Sequence, residues 1–335
     1  MSQSRYSHAA ESPKSRFIPK DFSTASSIIE KCLKGTAAEK LDAISKLHHL
    51  CKQLSMARNS KCEPVPVALL VSMRLLLCDR EKGVRTQTLR ALRYLIQTPE
   101  AIRGMSRVNI PVFISRSLER EPRYMWERMQ ALKFVRHLME IDASQMPRII
   151  VQSLVSIAQH TEDDFRKVSI DTLRELAIAH TGIVASCNGI KTIIDAILDE
   201  KLQDISGSLT VTLLYILDHE STRCHMRPSL DIQRLLWVFS DTDSPDSETK
   251  QSQREAAQKA LVMILRSWTG ILCLASDDFG LKSLVRILAL PPTVKGASWA
   301  RDAIFDLIFE ILDVVKVPDS GHKRSSGPNL LYNYI

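Results

Sequence analysis

The chain has 335 residues, of which 44% are apolar and 25% charged, with a net charge of +7. This is the balance of a water-soluble globular chain. No apolar run reaches the about 18 residues of a membrane span, and Met1–Lys20 lacks the apolar core of a secretory signal. Only 11 residues are glycine, too few for the many tight turns of a strand-rich fold, so helix is expected.

In chain order, residues 1–22 are rich in Ser, Lys, Arg and Pro and predict a disordered leader. A first helix is expected from Ser23 or Ser26, either of which would cap it, with Ile28, Ile29 and Leu33 as its apolar stripe. A second covers 37–56, where Leu41, Ile44, Leu47, Leu50 and Leu54 recur at spacings of three and four. Residues 57–66 read as a loop.

A repeat then takes over. Leu89-Arg90-Ala91-Leu92-Arg93 aligns with Leu132-Lys133-Phe134-Val135-Arg136, and Leu173-Arg174-Glu175-Leu176 is a looser copy. Six helices register on Leu89, Leu132, Leu173, Leu213, Leu261 and Ile304, at intervals of 43, 41, 40, 48 and 43. Leu92, Val135, Leu176, Ile216, Ile264 and Leu307 follow three residues later each time. Each unit is read as two helices and a short break, the first helices lying near 67–78, 110–118, 147–160, 189–200, 229–239 and 279–290. Pro64 or Pro66, Pro111, Pro147 and Pro228 stand near several of their starts. One amphipathic pair cannot bury its own apolar faces, so stacking on neighbours is the physical reason to repeat. The predicted fold is all-α, an armadillo/HEAT-like helical repeat solenoid over 23–317. An acidic insertion, 241–254, accounts for the long interval. Residues 318–335 are expected to be a polar loop and the start of a further helix cut short.

Catalytic grammar is absent: there is no GxGxxG, phosphate loop, GxSxG or HExxH. No catalytic, cofactor-binding or metal residue is assigned, and no enzyme is expected. His48 and His49 are adjacent on a helix and point about 100° apart, which disfavours a shared ion. Cys224-His225 has no second ligand pair near it. Asp163-Asp164 and Asp277-Asp278 precede helix starts, where carboxylates stabilise the dipole. The seven cysteines show no CxxC pair and read as reduced, mostly buried thiols of a cytoplasmic protein. Trp126, Trp268 and Trp299 read as core or inter-repeat packing. Ser244, followed by Pro245 in the acidic loop, is a candidate phosphosite.

The positive signal is a basic ladder: Arg90, Lys133 and Arg174 at one repeat position, Arg93 and Arg136 three residues on. If these line the concave side of stacked repeats, they form a groove for an acidic or phosphorylated peptide. The plainer alternative is solvated charge with intrahelical partners such as Glu127 and Glu175. Aromatic residues flank the ladder only at Tyr94 and Phe134, so nucleic acid is not the expected ligand.

At these phrases the chain resembles a known family. Thr88–Gln97, Glu127–Arg136, Ile264–Ile271 with its Arg266-Ser267-Trp268-Thr269-Gly270, and Pro328–Tyr334 are similar to phrases of the Rictor N-terminal domain. The resemblance covers roughly residues 25–335 in one order. It implies a non-catalytic scaffold subunit of TOR complex 2 in a eukaryote. Such a subunit assembles TOR kinase with Sin1 and Lst8, supports phosphorylation of AGC-family kinases and affects actin organisation. It also implies a cytoplasmic location, with membrane association only through the complex. Full-length members are several times longer, so this chain resembles a truncated one. The alternative class is a karyopherin-like or other armadillo-type adaptor; a karyopherin groove would need acidic or Asn/Trp ladders, and this ladder is basic.

Overall fold

The computed structural model describes residues 20–57, 65–240, 248–275, 278–289 and 297–315. Among them every regular element is helical. The chain divides into two compact units, Met1–His180 and Thr181–Ile335. Residues 1–19 of the leader, Ser244 and the whole 318–335 segment lie outside the described residues.

The first unit holds α1 (Lys20–Lys34), α2 (Ala37–Ala57), α3 (Val67–Leu77), α4 (Lys82–Leu95), α5 (Pro99–Arg107), α6 (Ile110–Leu118), α7 (Met125–Asp142), α8 (Arg148–Gln159) and α9 (Arg166–Ala179). Neighbours in sequence pack as pairs: α1 on α2, α3 on α4, α6 on α7 and α8 on α9. The second helices α2, α4 and α7 lie side by side in one layer, and α3, α6 and α8 in another. The second unit repeats the scheme with α10 (Thr181–Ser186), α11 (Gly189–Ile197), α12 (Gln203–Asp218), α13 (Glu220–Arg223), α14 (Pro228–Ser240), α15 (Glu248–Leu265), α16 (Trp268–Ala275), α17 (Asp278–Leu288) and α18 (Ala297–Val315). There α12, α15 and α18 form one layer and α11, α14 and α17 the other.

The core is where the repeat predicts it. All twelve registered positions, from Leu89 and Leu92 to Ile304 and Leu307, are buried, none more than 5% exposed. Each large aliphatic side chain so buried contributes about 1.5–3 kcal/mol. This seam is the main adhesive between the layers.

Two boundaries differ from the sequence reading. Helix α1 starts at Lys20, ahead of both serines, so 20–22 belong to it rather than to the leader. Helix α15 starts at Glu248, so 248–254 of the supposed acidic loop are helical. Its Arg254 is buried, with its guanidinium 5.3 Å from the ring centre of Trp299. The unit itself also differs. A short helix (α5, α10, α13 or α16) precedes the first long helix in four units, giving the three-helix plan of an armadillo-like repeat. Helices of four to nine residues span under three turns and leave no apolar periodicity to find. The cap chemistry was readable: Thr98 Oγ1 accepts from the Ala101 amide at 3.2 Å, and Pro99 opens the helix. Between short and long helix stand Asn109 and Asn188, with φ of 59° and 61°. Asparagine tolerates this left-handed conformation better than other L-residues with a Cβ.

Candidate partner-binding face

The ladder residues lie on adjacent helices of the first unit: Arg90 and Arg93 on α4, Lys133 and Arg136 on α7, Arg174 on α9. They do not form one uniform strip. Arg136 Nη2 donates to both carboxylate oxygens of Glu175 at 2.9 and 3.1 Å, and its Nη1 donates to Thr172 Oγ1 at 3.4 Å. Arg174 Nε donates to Asp171 Oδ1 at 2.8 Å. At the α7–α9 end the cations are therefore paired, and Glu175 takes its main partner from the neighbouring helix. Glu127, the other expected partner, does not touch the ladder.

At the α4 end Arg90, Arg93 and Lys133 have no carboxylate partner among the described residues. The Arg90 guanidinium donates only to Gln87 Oε1, at 3.3 Å. Beside them α2 adds His48, His49 and Lys52. Burial lowers the His48 pKa below its usual 6.5, and the charges of Arg90, His49, Lys52 and Arg93 push it further down. His48 packs edge-on against Tyr94, ring centres 5.4 Å apart, and its buried Nε2 has no hydrogen-bond partner. His49 is its other ring neighbour, at 5.6 Å and an interplanar angle of 67°. The described residues contain no group of three or more metal-ligand side chains.

The same layer carries a cleft of about 240 Å³ at the N-terminal half of α4. Its lining includes Leu41 from α2, Gly83, Thr86 and Gln87 from α4, and Tyr124 and Trp126 at the start of α7. Trp126 is 67% exposed and Trp268 is 56% exposed, so neither is the core residue the sequence suggested. Trp299 does pack between repeats, stacked on Phe239 with centroids 5.4 Å apart. Phe134, expected beside the ladder, is fully buried.

Below the cleft lies a buried ion network that patterning by hydrophobicity passes over. Glu127, 1% exposed, accepts from Arg85 Nε and Nη2 at 3.0 and 2.6 Å, from Arg120 Nε at 2.8 Å and from Ser117 Oγ at 2.9 Å. Arg85, Arg120 and Arg123 all stand 5.1–5.7 Å from the Tyr124 ring centre. Related arginines clasp helix ends. Arg128 Nε donates to Leu118 O at 2.9 Å, Arg166 Nε to Ala158 O at 3.1 Å, and Arg223 Nε to Leu217 O at 2.6 Å. Arg128 Nη2 also meets Asp163 at 2.5 Å, while the other Asp163 oxygen accepts from the Phe165 amide just before α9. Each clasp satisfies a carbonyl that a helix C-terminus leaves open. The signal available in the sequence was Arg85 and Arg128, each four residues before a registered leucine.

Of the six described cysteines four are buried, and Cys78 and Cys224 are exposed; Cys62 lies outside the described residues. Burial, helped by Asp79, pushes the Cys32 thiol up to about 11, and burial with Asp231 does the same for Cys273. Neither is a reactive thiolate.

Over residues 44–330 the chain matches the family model described as rapamycin-insensitive companion of mTOR, N-terminal. The chain belongs to this family. Among curated relatives, Protein pianissimo A of Dictyostelium discoideum is 35% identical over 289 residues, covering 81% of this chain and 25% of that protein. The rapamycin-insensitive companion of mTOR of Homo sapiens is 29% identical over 236 residues, covering 67% and 14%. Target of rapamycin complex 2 subunit ste20 of Schizosaccharomyces pombe is 27% identical over 302 residues, covering 86% and 22%. The chain thus spans a quarter or less of these family members. Among solved structures, a designed armadillo repeat protein is similar with a TM-score of 0.43 and 11% identity, covering 70% of this chain and 98% of that one.

Proposed function

We propose that this chain serves as the N-terminal repeat region of a non-catalytic scaffold subunit of TOR complex 2. The observation that carries the reading is the family match over 44–330, together with relatives named as subunits of target of rapamycin complex 2 in two yeasts. In this reading the chain helps hold TOR kinase with Sin1 and Lst8, and supports phosphorylation of AGC-family kinases. It works in the cytoplasm and meets membranes only through the complex. The mechanism is geometric: within each unit, stacked helix layers with an apolar seam are stiff, and a stiff surface raises the effective concentration of whatever docks on it. The karyopherin-like alternative gains nothing from the family match.

The test is affinity capture of the tagged full-length protein from its own cells, read by mass spectrometry. TOR kinase is expected among the captured proteins. Recovery of importins without TOR kinase would overturn the reading.

A further inference from the structure

We propose that the α2–α4–α7 face of the first unit is a two-part groove for an extended acidic segment of a protein partner. An apolar side chain of that segment enters the Leu41–Trp126 cleft, and its carboxylates lie on Arg90, Arg93 and Lys133. The inference stands on the geometry of this face and does not depend on which complex the chain serves.

Four observations converge. First, the cleft and the cations share one helix face: Lys82, Thr86, Arg90 and Arg93 recur on α4 at spacings of four and three. Gln87 links them, since it lines the cleft and accepts from Arg90. Second, the neighbours continue both parts. On α2, Leu41 lies at the cleft while His48 and Lys52 lie at the basic end; on α7, Trp126 lies at the cleft and Lys133 further along. Third, the charge there is uncompensated. The same layer neutralises Arg136 and Arg174 with Asp171 and Glu175 but leaves Arg90, Arg93 and Lys133 without a carboxylate among the described residues. Fourth, His48 Nε2 is buried and unpartnered beside Arg90 and Arg93, a polar atom with no internal reason to stay unsatisfied.

These features select the occupant. A large apolar rim of Trp126 and Leu41 beside cations fits a segment with an apolar anchor. The cations are spread rather than convergent. From Thr86 to Arg93 is about 10 Å along α4 at roughly 1.5 Å per residue, and Lys133 is one helix spacing, about 10 Å, to the side. A single phosphate would be gripped by convergent donors; a spread array matches successive carboxylates of an extended chain, about 3.3 Å apart per residue. The anchor and the carboxylate on Arg93 should therefore be separated by about three residues.

The test uses the full chain and a fluorescein-labelled peptide with one Leu followed, three residues on, by four Glu. Fluorescence anisotropy should show binding that weakens as salt is added. Replacing Leu by Gly, or Glu by Gln, in the probe should weaken it roughly tenfold or more. Arg90→Glu with Arg93→Glu should abolish binding, and Trp126→Ala should weaken the Leu peptide while leaving the Gly peptide unchanged. Arg93→Gln with Lys133→Gln gives a milder pair, and unchanged circular dichroism melting certifies that the variants fold. The His48 ring signal should shift on titration. Absence of saturable binding, or binding that ignores both variant sets, would overturn the proposal. Tighter binding of single-stranded RNA or of phosphatidylserine vesicles, lost in the same variants, would also overturn it in favour of that ligand.

Discussion

At the residue scale, the most consequential side chain is Glu127. It holds two guanidinium groups and a serine hydroxyl in a nearly dry site under the cleft. Removing one partner of a buried pair costs about 3–5 kcal/mol, because the remaining charge stays buried. Glu127→Gln is therefore expected to lower the melting temperature by roughly 6–20 °C, at about 2–4 °C per kcal/mol for a unit of this size. Adding Arg85→Met should restore part of the loss, since a desolvated charge then disappears. Equal melting of Glu127→Gln and the parent protein would show that the network is not what supports this end of α7. The apolar rungs were legible because hydrophobic burial follows a period. Arg85 and Glu127 were not, because a charged residue four or five positions before a leucine has the same pattern whether it is buried or solvated. Only its partners decide.

At the element scale, Arg266-Ser267-Trp268-Thr269-Gly270 has a clear physical account. It turns the corner between α15 and α16, which meet at 108°. Ser267 Oγ accepts from the Gly270 amide at 3.0 Å and opens α16, and Arg266 ties the corner to Glu310 of α18 through two hydrogen bonds. That contact holds the Glu310 carboxyl below its usual range. A Cβ on Gly270 would stand 1.9 Å from Ile264 O, a backbone atom with nowhere to go. Gly270→Ala gains about 1 kcal/mol in helix propensity, but the clash forces the corner apart, at a cost of about 1–3 kcal/mol or more. A lower denaturation midpoint is expected for Gly270→Ala in urea titration; an unchanged or raised midpoint would refute the close approach. The resemblance rested in part on this phrase, and the tight corner explains its small residue. It does not explain Trp268, which the corner leaves largely exposed.

At the scale of the whole molecule, apolar burial runs to the last described helix and stops on one side. Helix α18 buries Ile304 and Leu307 but exposes Phe305, Phe309 and Leu312, spaced as one helix stripe, with Phe309 66% exposed. Contiguous exposed apolar surface of this kind drives association. Phe309→Glu should reduce concentration-dependent self-association, read by light scattering, without lowering the melting temperature. Scattering that is identical for both proteins would mean that the stripe is not the adhesive surface. No single helix among the described residues is long and apolar enough to cross a membrane.

The sequence by itself determined the helical class, the register of the six second helices and the family. Each of these depends on local periodicity or wording, and burial of Leu89, Leu132, Leu173, Leu213, Leu261 and Ile304 is a direct consequence of a period that stacking requires. Tertiary structure alone decided which arginines are available. Arg93 and Arg136 occupy the same repeat position, but Asp171 and Glu175 reach one and no carboxylate among the described residues reaches the other. Charge pairing across helices depends on distances of a few ångströms between residues about forty apart in sequence, and no spacing along the chain encodes that.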